Sequence, residues 1–351
     1  VQQFIHKIWR NYNLLSILFW PLSLLFCAVA AMRRWCYRNH VFKSFRPALP
    51  LIVVGNIHAG GTGKTPFVIA LVNYLKARQL KPAVISRGYR GQDKRLDQGM
   101  SFRLTESARA VDCGDEAFYI LHKTGVPVIV GRNRPASVRL IQEQCCCDVI
   151  ISDDGLQHYA LQRDIEICLL DAHRQDNGFC LPAGPLRESL KRLKTVDFVI
   201  ESIKLRQDAG VQQADFSADS FYLECRSAYD LNCSRNSREL SAFADQEVIA
   251  VTGIARPEYF FNTLRNQGIR LRTHAFNDHY AFSQKDFDAF SDQSRPILMT
   301  EKDAVKCMHL KLKNVWVVTC EVKAAEVLWQ KIYQLLLNVK NGVDDVDLVK
   351  R

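Results

Sequence analysis

Residues 51–66 read Leu-Ile-Val-Val-Gly-Asn-Ile-His-Ala-Gly-Gly-Thr-Gly-Lys-Thr-Pro. The apolar run Leu51–Val54 predicts a buried strand, and Phe67-Val68-Ile69-Ala70-Leu71-Val72 after it has a helical pattern. A strand, a glycine-rich turn ending in Lys-Thr and a helix form the context of a phosphate-binding P-loop. Glycines let backbone N–H groups turn inward around phosphate oxygens, and the helix N-terminus adds a field that favours anions. The stretch His58-Ala59-Gly60-Gly61-Thr62-Gly63-Lys64-Thr65 is therefore the candidate ATP-binding loop, with Lys64 reaching the β/γ-phosphates and the Thr65 hydroxyl on Mg²⁺. Counting back from Gly63, the first glycine of the general pattern is replaced by His58.

Outward from this loop, apolar runs alternate with helical patterns. Strands are expected at 51–54, 83–85, 126–130, 148–152 and 165–170, then at 197–200, 220–225, 247–251, 296–299 and 315–318, with helices at 257–266 and 324–337. Such alternation predicts a mostly parallel α/β sheet, whose ligands bind beyond the carboxyl ends of the strands. The expected organisation is an N-terminal membrane-associated segment at 1–46, a P-loop domain at 47–164 and a second α/β domain at 165–351. The last strand and helix have the option of packing back on the first domain. Residues 203–218 and 227–245 are poor in apolar residues and read as loops or connecting helices.

Residues Leu14–Ala31 are eighteen in a row without a charge, close to the lower limit for a membrane span. Phe4, Ile8 and Tyr12 precede them on one helical face, which Lys7 and Arg10 flank, and Arg33, Arg34, Arg38, Lys43 and Arg46 follow. Four readings compete: a signal peptide, a transmembrane helix, a Pro21-broken helix lying in the interface, and the buried core helix of a soluble protein. The middle two share one meaning, a catalytic domain tethered to the cytosolic membrane face. The chain carries a net charge of +10, which favours an anionic partner, yet no block of like charges marks a nucleic-acid tail. Nothing in the sequence points to an obligate protein partner. The twelve cysteines show no paired CxxC spacing, which argues against zinc, and the tandem Cys145-Cys146-Cys147 fits reduced thiols beside a buried strand.

Chemistry-bearing residues gather at the predicted strand ends. Asp148-Val-Ile-Ile-Ser-Asp153-Asp154 has the form of a Walker B strand, and paired carboxylates there repel unless a cation lies between them or one is protonated, which favours Mg²⁺. An Asp-Asp-Gly turn is the plainer alternative. Asp115 and Glu116 open an apparent helix; they serve either as capping carboxylates or as base and metal partner. Arg132, Arg134 and Arg187 are candidates for clamping phosphate, Arg187 from the rigid Leu181-Pro-Ala-Gly-Pro-Leu-Arg-Glu188 loop. His279 sits in a loop of the second domain, and Thr300 looks like the cap of a helix through Glu301-Lys302-Asp303.

Taken in order, these strings resemble the tetraacyldisaccharide 4′-kinase family of lipid A biosynthesis. The resemblance runs through the P-loop, Ser86-Arg-Gly-Tyr89, Gly114-Asp115-Glu116, Gly131-Arg-Asn-Arg134, Asp153-Asp-Gly-Leu-Gln-His158 and the Pro-Ala-Gly-Pro-Leu-Arg-Glu string ending at Glu188. It continues through Thr252-Gly-Ile-Ala-Arg-Pro257, Asp278-His279 and Thr300-Glu-Lys-Asp-Ala-Val-Lys306. It implies transfer of the ATP γ-phosphate to the 4′-hydroxyl of a membrane-borne tetraacyl disaccharide 1-phosphate, at the cytoplasmic face of the bacterial inner membrane. It further implies Asp115 as base supported by His279, Thr65, Glu116 and Asp153 as metal residues with Asp154 and Gln157 nearby, and Arg134 and Arg187 steadying the phosphoryl group. His58 and Asn133 depart from the family, which usually shows Ser or Thr and Asp there. The main rival is a membrane-associated partition- or assembly-type P-loop ATPase, against which Ala59 counts, because such proteins often carry lysine at that position.

Overall fold

The computed structural model describes residue 9 and residues 11–172, 176–203, 217–290 and 295–342. Phe4, Lys7, Ile8 and Arg10 of the N-terminal segment, and most of the polar stretch 203–218, lie outside the described residues. Helix α1 (Leu14–Arg38) is followed by β1 (Leu51–Gly55), α2 (Lys64–Ala77), β2 (Pro82–Ser86), β3 (Phe102–Arg103), α3 (Asp115–Thr124), β4 (Val128–Val130), α4 (Arg134–Gln144) and β5 (Val149–Asp153). Then come β6 (Ile165–Asp171), β7 (Phe198–Ile203), β8 (Ser220–Asp230), β9 (Cys233–Glu239), β10 (Glu247–Thr252), α5 (Pro257–Arg265) and β11 (Arg270–Ala275). The chain closes with β12 (Ile297–Thr300), α6 (Glu301–Cys307), β13 (Val315–Ala324) and α7 (Glu326–Lys340).

One sheet runs through the described residues in the order β11-β10-β12-β13-β8-β7-β6-β1-β5-β2-β4-β3, with β9 paired to β8. Strand β1 lies between β5 and β6, both parallel to it, so the P-loop leaves the centre of the first half and Asp153 leaves the strand beside it. Every residue of β1, β2 and β5 is buried, as expected of strands covered on both faces. One face is covered by α2, α3 and α7, which pack with Val54, Val84 and Ile151 in one apolar cluster, and the other by α4 and the 156–161 loop.

The expected break at residue 165 is not where the sheet divides. Strand β6 pairs in parallel with β1, and β7 with β6, so both belong to the P-loop half. The second half is reached through β8 and its long antiparallel pairing with β13. The stretch 227–245, expected as loop or helix, instead forms the end of β8 and a hairpin with β9. All seven residues of β9 are exposed, so its pairing rests on backbone bonds and leaves no apolar alternation to read. The C-terminal helix does return to the first half: Trp329 stacks on Phe67 at 5.2 Å and on Tyr74 at 5.5 Å between ring centres.

Helix α1 is continuous through Pro21, in place of the expected break, and Asn13 caps it by accepting from the Ser16 N–H. Its burial is inverted: the buried residues are Ser16 and Ser23, while Leu14, Leu18, Leu25 and Met32 are more than half exposed. A core helix would turn its leucines inward, so that alternative falls. Ser23 anchors the helix by donating to the Cys180 carbonyl (2.8 Å) and accepting from the Ala183 N–H (2.9 Å). Two cysteine pairs depart from the expected reduced state. Cys27 and Cys180 are bridged where α1 meets the body, and Cys225 and Cys320 are bridged because the β8–β13 register sets them opposite each other, 4.4 Å apart at Cα. Cys145, Cys146 and Cys147 are free.

Replacing Trp329 by alanine removes a buried aromatic from the seam between α7 and α2. A loss of about 3 kcal/mol is expected, within the range for such truncations, read as a lower midpoint in urea unfolding followed by tryptophan-independent circular dichroism. An unchanged midpoint would mean that α7 is dispensable to the first half.

Candidate active site

The P-loop is shaped from within and held from one side. Gly63 caps α2 in the left-handed region (φ 78°), where a side chain is strained. Asn56 donates to the Gly60 carbonyl and to the Thr62 hydroxyl, both at 3.1 Å, folding the loop back on itself. The Pro/Gly loop braces its start: Ala59 N–H donates to the Pro185 carbonyl (2.8 Å) and Arg187 N–H to the Ile57 carbonyl (2.7 Å). His58 is nearly buried and sits 3.5 Å from the Asp176 carboxylate, turned toward the 176–187 segment.

Asp154, at φ 48°, is left-handed and lies between two cations, Lys64 at 3.5 Å and Arg187 at 3.1 Å. Burial pushes its carboxyl up, but Lys64 and Arg187 outweigh this and hold it below the ordinary range. Asp153 behaves oppositely. It is buried at the end of β5, and desolvation, reinforced by Glu116 and Asp154, pushes it up to about 7. Its Oδ1 is buried with no hydrogen-bond donor, which suits a group that meets a cation. Thr65 is nearly buried beside Lys64, and Glu116 borders the same cavity, of about 260 Å³.

That cavity lies between the two halves of the sheet. Gly61–Thr65 line it from the first half; Ile254, Arg256 and Tyr259 line it from the second. Arg256 is ion-paired to Asp171 across it. Glu301 at its edge is tied to the first half by the Tyr119 hydroxyl (2.8 Å) and by Lys123. Asp115, at the start of α3, meets His279 from the other half, with Oδ2 3.0 Å from Nδ1. His279 holds φ 61°, a costly conformation for this residue, and the Tyr89 ring stands edge-on to it at 5.5 Å. The first half thus supplies a phosphate loop and a carboxylate, and the second orients that carboxylate with an imidazole.

The family description Tetraacyldisaccharide-1-P 4′-kinase (LpxK) matches residues 15–337. The chain belongs to this family. It is 40% identical over 345 residues to a tetraacyldisaccharide 4′-kinase of Haemophilus influenzae, covering 95% of this chain and 99% of that one. It is 42% identical over 333 residues to that of Pasteurella multocida, covering 94% and 97%. A crystal structure of LpxK from Aquifex aeolicus in complex with ATP superposes with a TM-score of 0.73 at 27% identity, over 92% of this chain and all of that one.

Within this LpxK-family fold, not every expected site residue faces the cavity. Arg134 is fully buried, and its Nη2 donates to the Asp153 carbonyl at 2.5 Å. It braces the Walker B strand from beneath, away from the position expected for a phosphate clamp, and burial lowers its pKa to about 10. The Gln157 side-chain NH₂ donates to the Asn56 carbonyl and to Glu188, both at 3.1 Å, so this residue ties the P-loop to the Pro/Gly loop. Arg132 points away from the group and pairs with Asp97 at 3.0 Å. Tyr119, Asp171, Arg256 and Glu301 carried no expected role at the site. Asp171 and Glu301 stand at the ends of β6 and β12, and a strand-end carboxylate was the signal that would have found them.

Gly114 sets the entry of Asp115 into the site. Its φ is 89°, and a Cβ there would lie 2.5 Å from the Tyr89 carbonyl oxygen. Gly114→Ala is expected to move Asp115 off His279 and lower turnover about 100-fold, as small misplacements at reacting groups do, while ATP binding measured by calorimetry changes little. A turnover equal to wild type would show that this backbone has slack.

Proposed function

We propose that this chain is a Mg²⁺-ATP-dependent kinase acting on the 4′-hydroxyl of tetraacyldisaccharide 1-phosphate. The Asp115–His279 hydrogen bond carries the reading, because it fixes a carboxylate base next in the chain to Glu116, which borders the P-loop cavity. In the transfer, the substrate 4′-oxygen forms a bond to the γ-phosphorus as the bond from that phosphorus to the β,γ-bridging oxygen of ATP breaks. Asp115 takes the hydroxyl proton, and His279 holds the carboxylate toward the acceptor. Phosphoryl transfer depends mainly on positioning and on stabilising charge, which here falls to Lys64, Arg187 and the P-loop amides. Thr65, Glu116 and Asp153 would hold Mg²⁺, which would neutralise charge on the β- and γ-oxygens. The orphaned Oδ1 of Asp153 and the mutual repulsion of these carboxylates support that assignment.

Helix α1 would seat the enzyme on the cytoplasmic face of the inner membrane. Its exposed leucines suit acyl chains, and Arg33, Arg34 and Arg38 after them suit anionic headgroups. An acylated substrate stays in the bilayer, so an enzyme that binds the surface meets it there.

The decisive assay supplies γ-labelled ATP and the acylated disaccharide 1-phosphate in vesicles. Label should appear in the lipid, and Asp115→Asn should lower turnover about 1,000-fold, the scale of a general base, with ATP affinity retained. ATP hydrolysis with no labelled lipid would instead favour the assembly-type ATPase.

The membrane reading has its own test. Leu18→Glu with Leu25→Glu changes two exposed residues, so folding stability should shift by less than about 0.5 kcal/mol per site. Vesicle flotation should nevertheless be lost, with turnover on a detergent-dispersed substrate unaltered. Flotation equal to wild type would remove α1 as the anchor.

A further inference from the structure

The tetrapeptide Thr300–Asp303 opens α6 at the cleft, and its residues are tied to several surrounding elements. Thr300 caps the helix by accepting from the Asp303 N–H at 3.2 Å. Glu301 is held by Tyr119 and Lys123 of α3. Asp303, fully buried, accepts from the Thr252 hydroxyl (2.7 Å) and the Gly253 N–H (3.1 Å). Gly253 in turn accepts from the backbone N–H of His279 at 3.1 Å. The backbone that carries Lys302 is therefore fixed on both sides.

From this mount the Lys302 ammonium reaches 3.4 Å from Glu116 Oε1 and 3.8 Å from Asp278 Oδ1. Glu116 is the chain neighbour of Asp115, and Asp278 is the chain neighbour of His279. Asp278 is also held by Arg90, which donates to its carbonyl at 2.9 Å, and its Oδ2 lies 3.7 Å from His279 Nε2. One cation thus touches the residue beside each member of the dyad, on elements that belong to opposite halves of the sheet.

We propose that Lys302 is a positioning residue for phosphoryl transfer, tying Glu116 to Asp278 across the cleft and so keeping Asp115 and His279 in line. This goes beyond the kinase reading and rests on it. Without the ammonium, two carboxylates face each other with no cation between them, and like charges this close push the halves apart. Its effect falls on the chemical step, since the groups it ties flank the base and its partner, whereas Lys64 and the P-loop amides hold the nucleotide.

The test compares Lys302→Met, Lys302→Gln and Lys302→Arg in the full chain with γ-labelled ATP and vesicle-borne acylated disaccharide 1-phosphate. Met and Gln should lower kcat about 10- to 100-fold with the KM for ATP within about twofold, and Arg should recover most of the loss, because it restores the charge. In a His279→Ala background, Lys302→Met should cost less than about threefold more, because both substitutions damage the same alignment. Several results overturn the proposal. A rise in the KM for ATP as large as the fall in kcat makes Lys302 a phosphate ligand. A full additive loss in the His279→Ala background gives it an independent role. A loss that follows a drop in melting temperature in both neutral variants makes it a structural residue. Wild-type labelling of the lipid is the control: its absence removes the kinase reading itself, whereas equal labelling by wild type and Lys302→Met removes this proposal alone.

Discussion

The 3.0 Å contact between Asp115 and His279 joins residues 164 positions apart, and the other features of the site serve it. A carboxylate at the start of α3 faces solvent unless something from the opposite half reaches it. The second half of the sheet provides that reach. It is attached through β8 and β13, whose antiparallel pairing reverses the chain between two parallel sets. The His279 backbone is left-handed to make the contact, and the Asp303–Gly253 pair holds it there. The strain is tolerable because the surrounding bonds over-determine the loop.

A gradient of charge environments follows from the same arrangement. Asp153 and Asp154 are adjacent in the chain, yet their carboxyls are pushed in opposite directions. Asp154 faces two cations and stays ionised. Asp153 is buried and feels the like charge of Glu116, while the guanidinium of Arg134 is spent on its carbonyl. Such a split separates two like residues: Asp154 anchors protein cations, whereas Asp153 keeps a buried carboxyl oxygen with no donor.

What the sequence disclosed depended on how local the physics was. The strand, loop and helix around Lys64 were legible because turn chemistry and apolar periodicity are short-range. The depth of Arg134 was not legible, since an arginine at a helix start after Gly-Arg-Asn looks exposed, and no local rule foretells its buried bond to the Asp153 carbonyl. The β8–β9 hairpin escaped because an exposed edge strand carries no apolar alternation. The boundary at 165 was misplaced for a related reason: nothing in an apolar run says which neighbour it will pair with, and β6 pairs with β1. The link between Asp115 and His279 came through family resemblance, because no spacing rule connects residues so far apart.

Helix α1 shows how an element can satisfy a composition rule and reverse its usual meaning. Its apolar run resembles a core helix, but its two buried side chains are serines: Ser16 closes the capping box with Asn13, and Ser23 bonds to the Pro/Gly loop that also braces the P-loop. The same loop carries Arg187, which holds Asp154 beside Lys64. A helix seated in lipid would thus be two hydrogen-bonded steps from the phosphate site, through Ser23 to Ala183 and through Pro185 to Ala59. The leucines stay exposed because Ser23 and the Cys27–Cys180 bridge dock the helix without them.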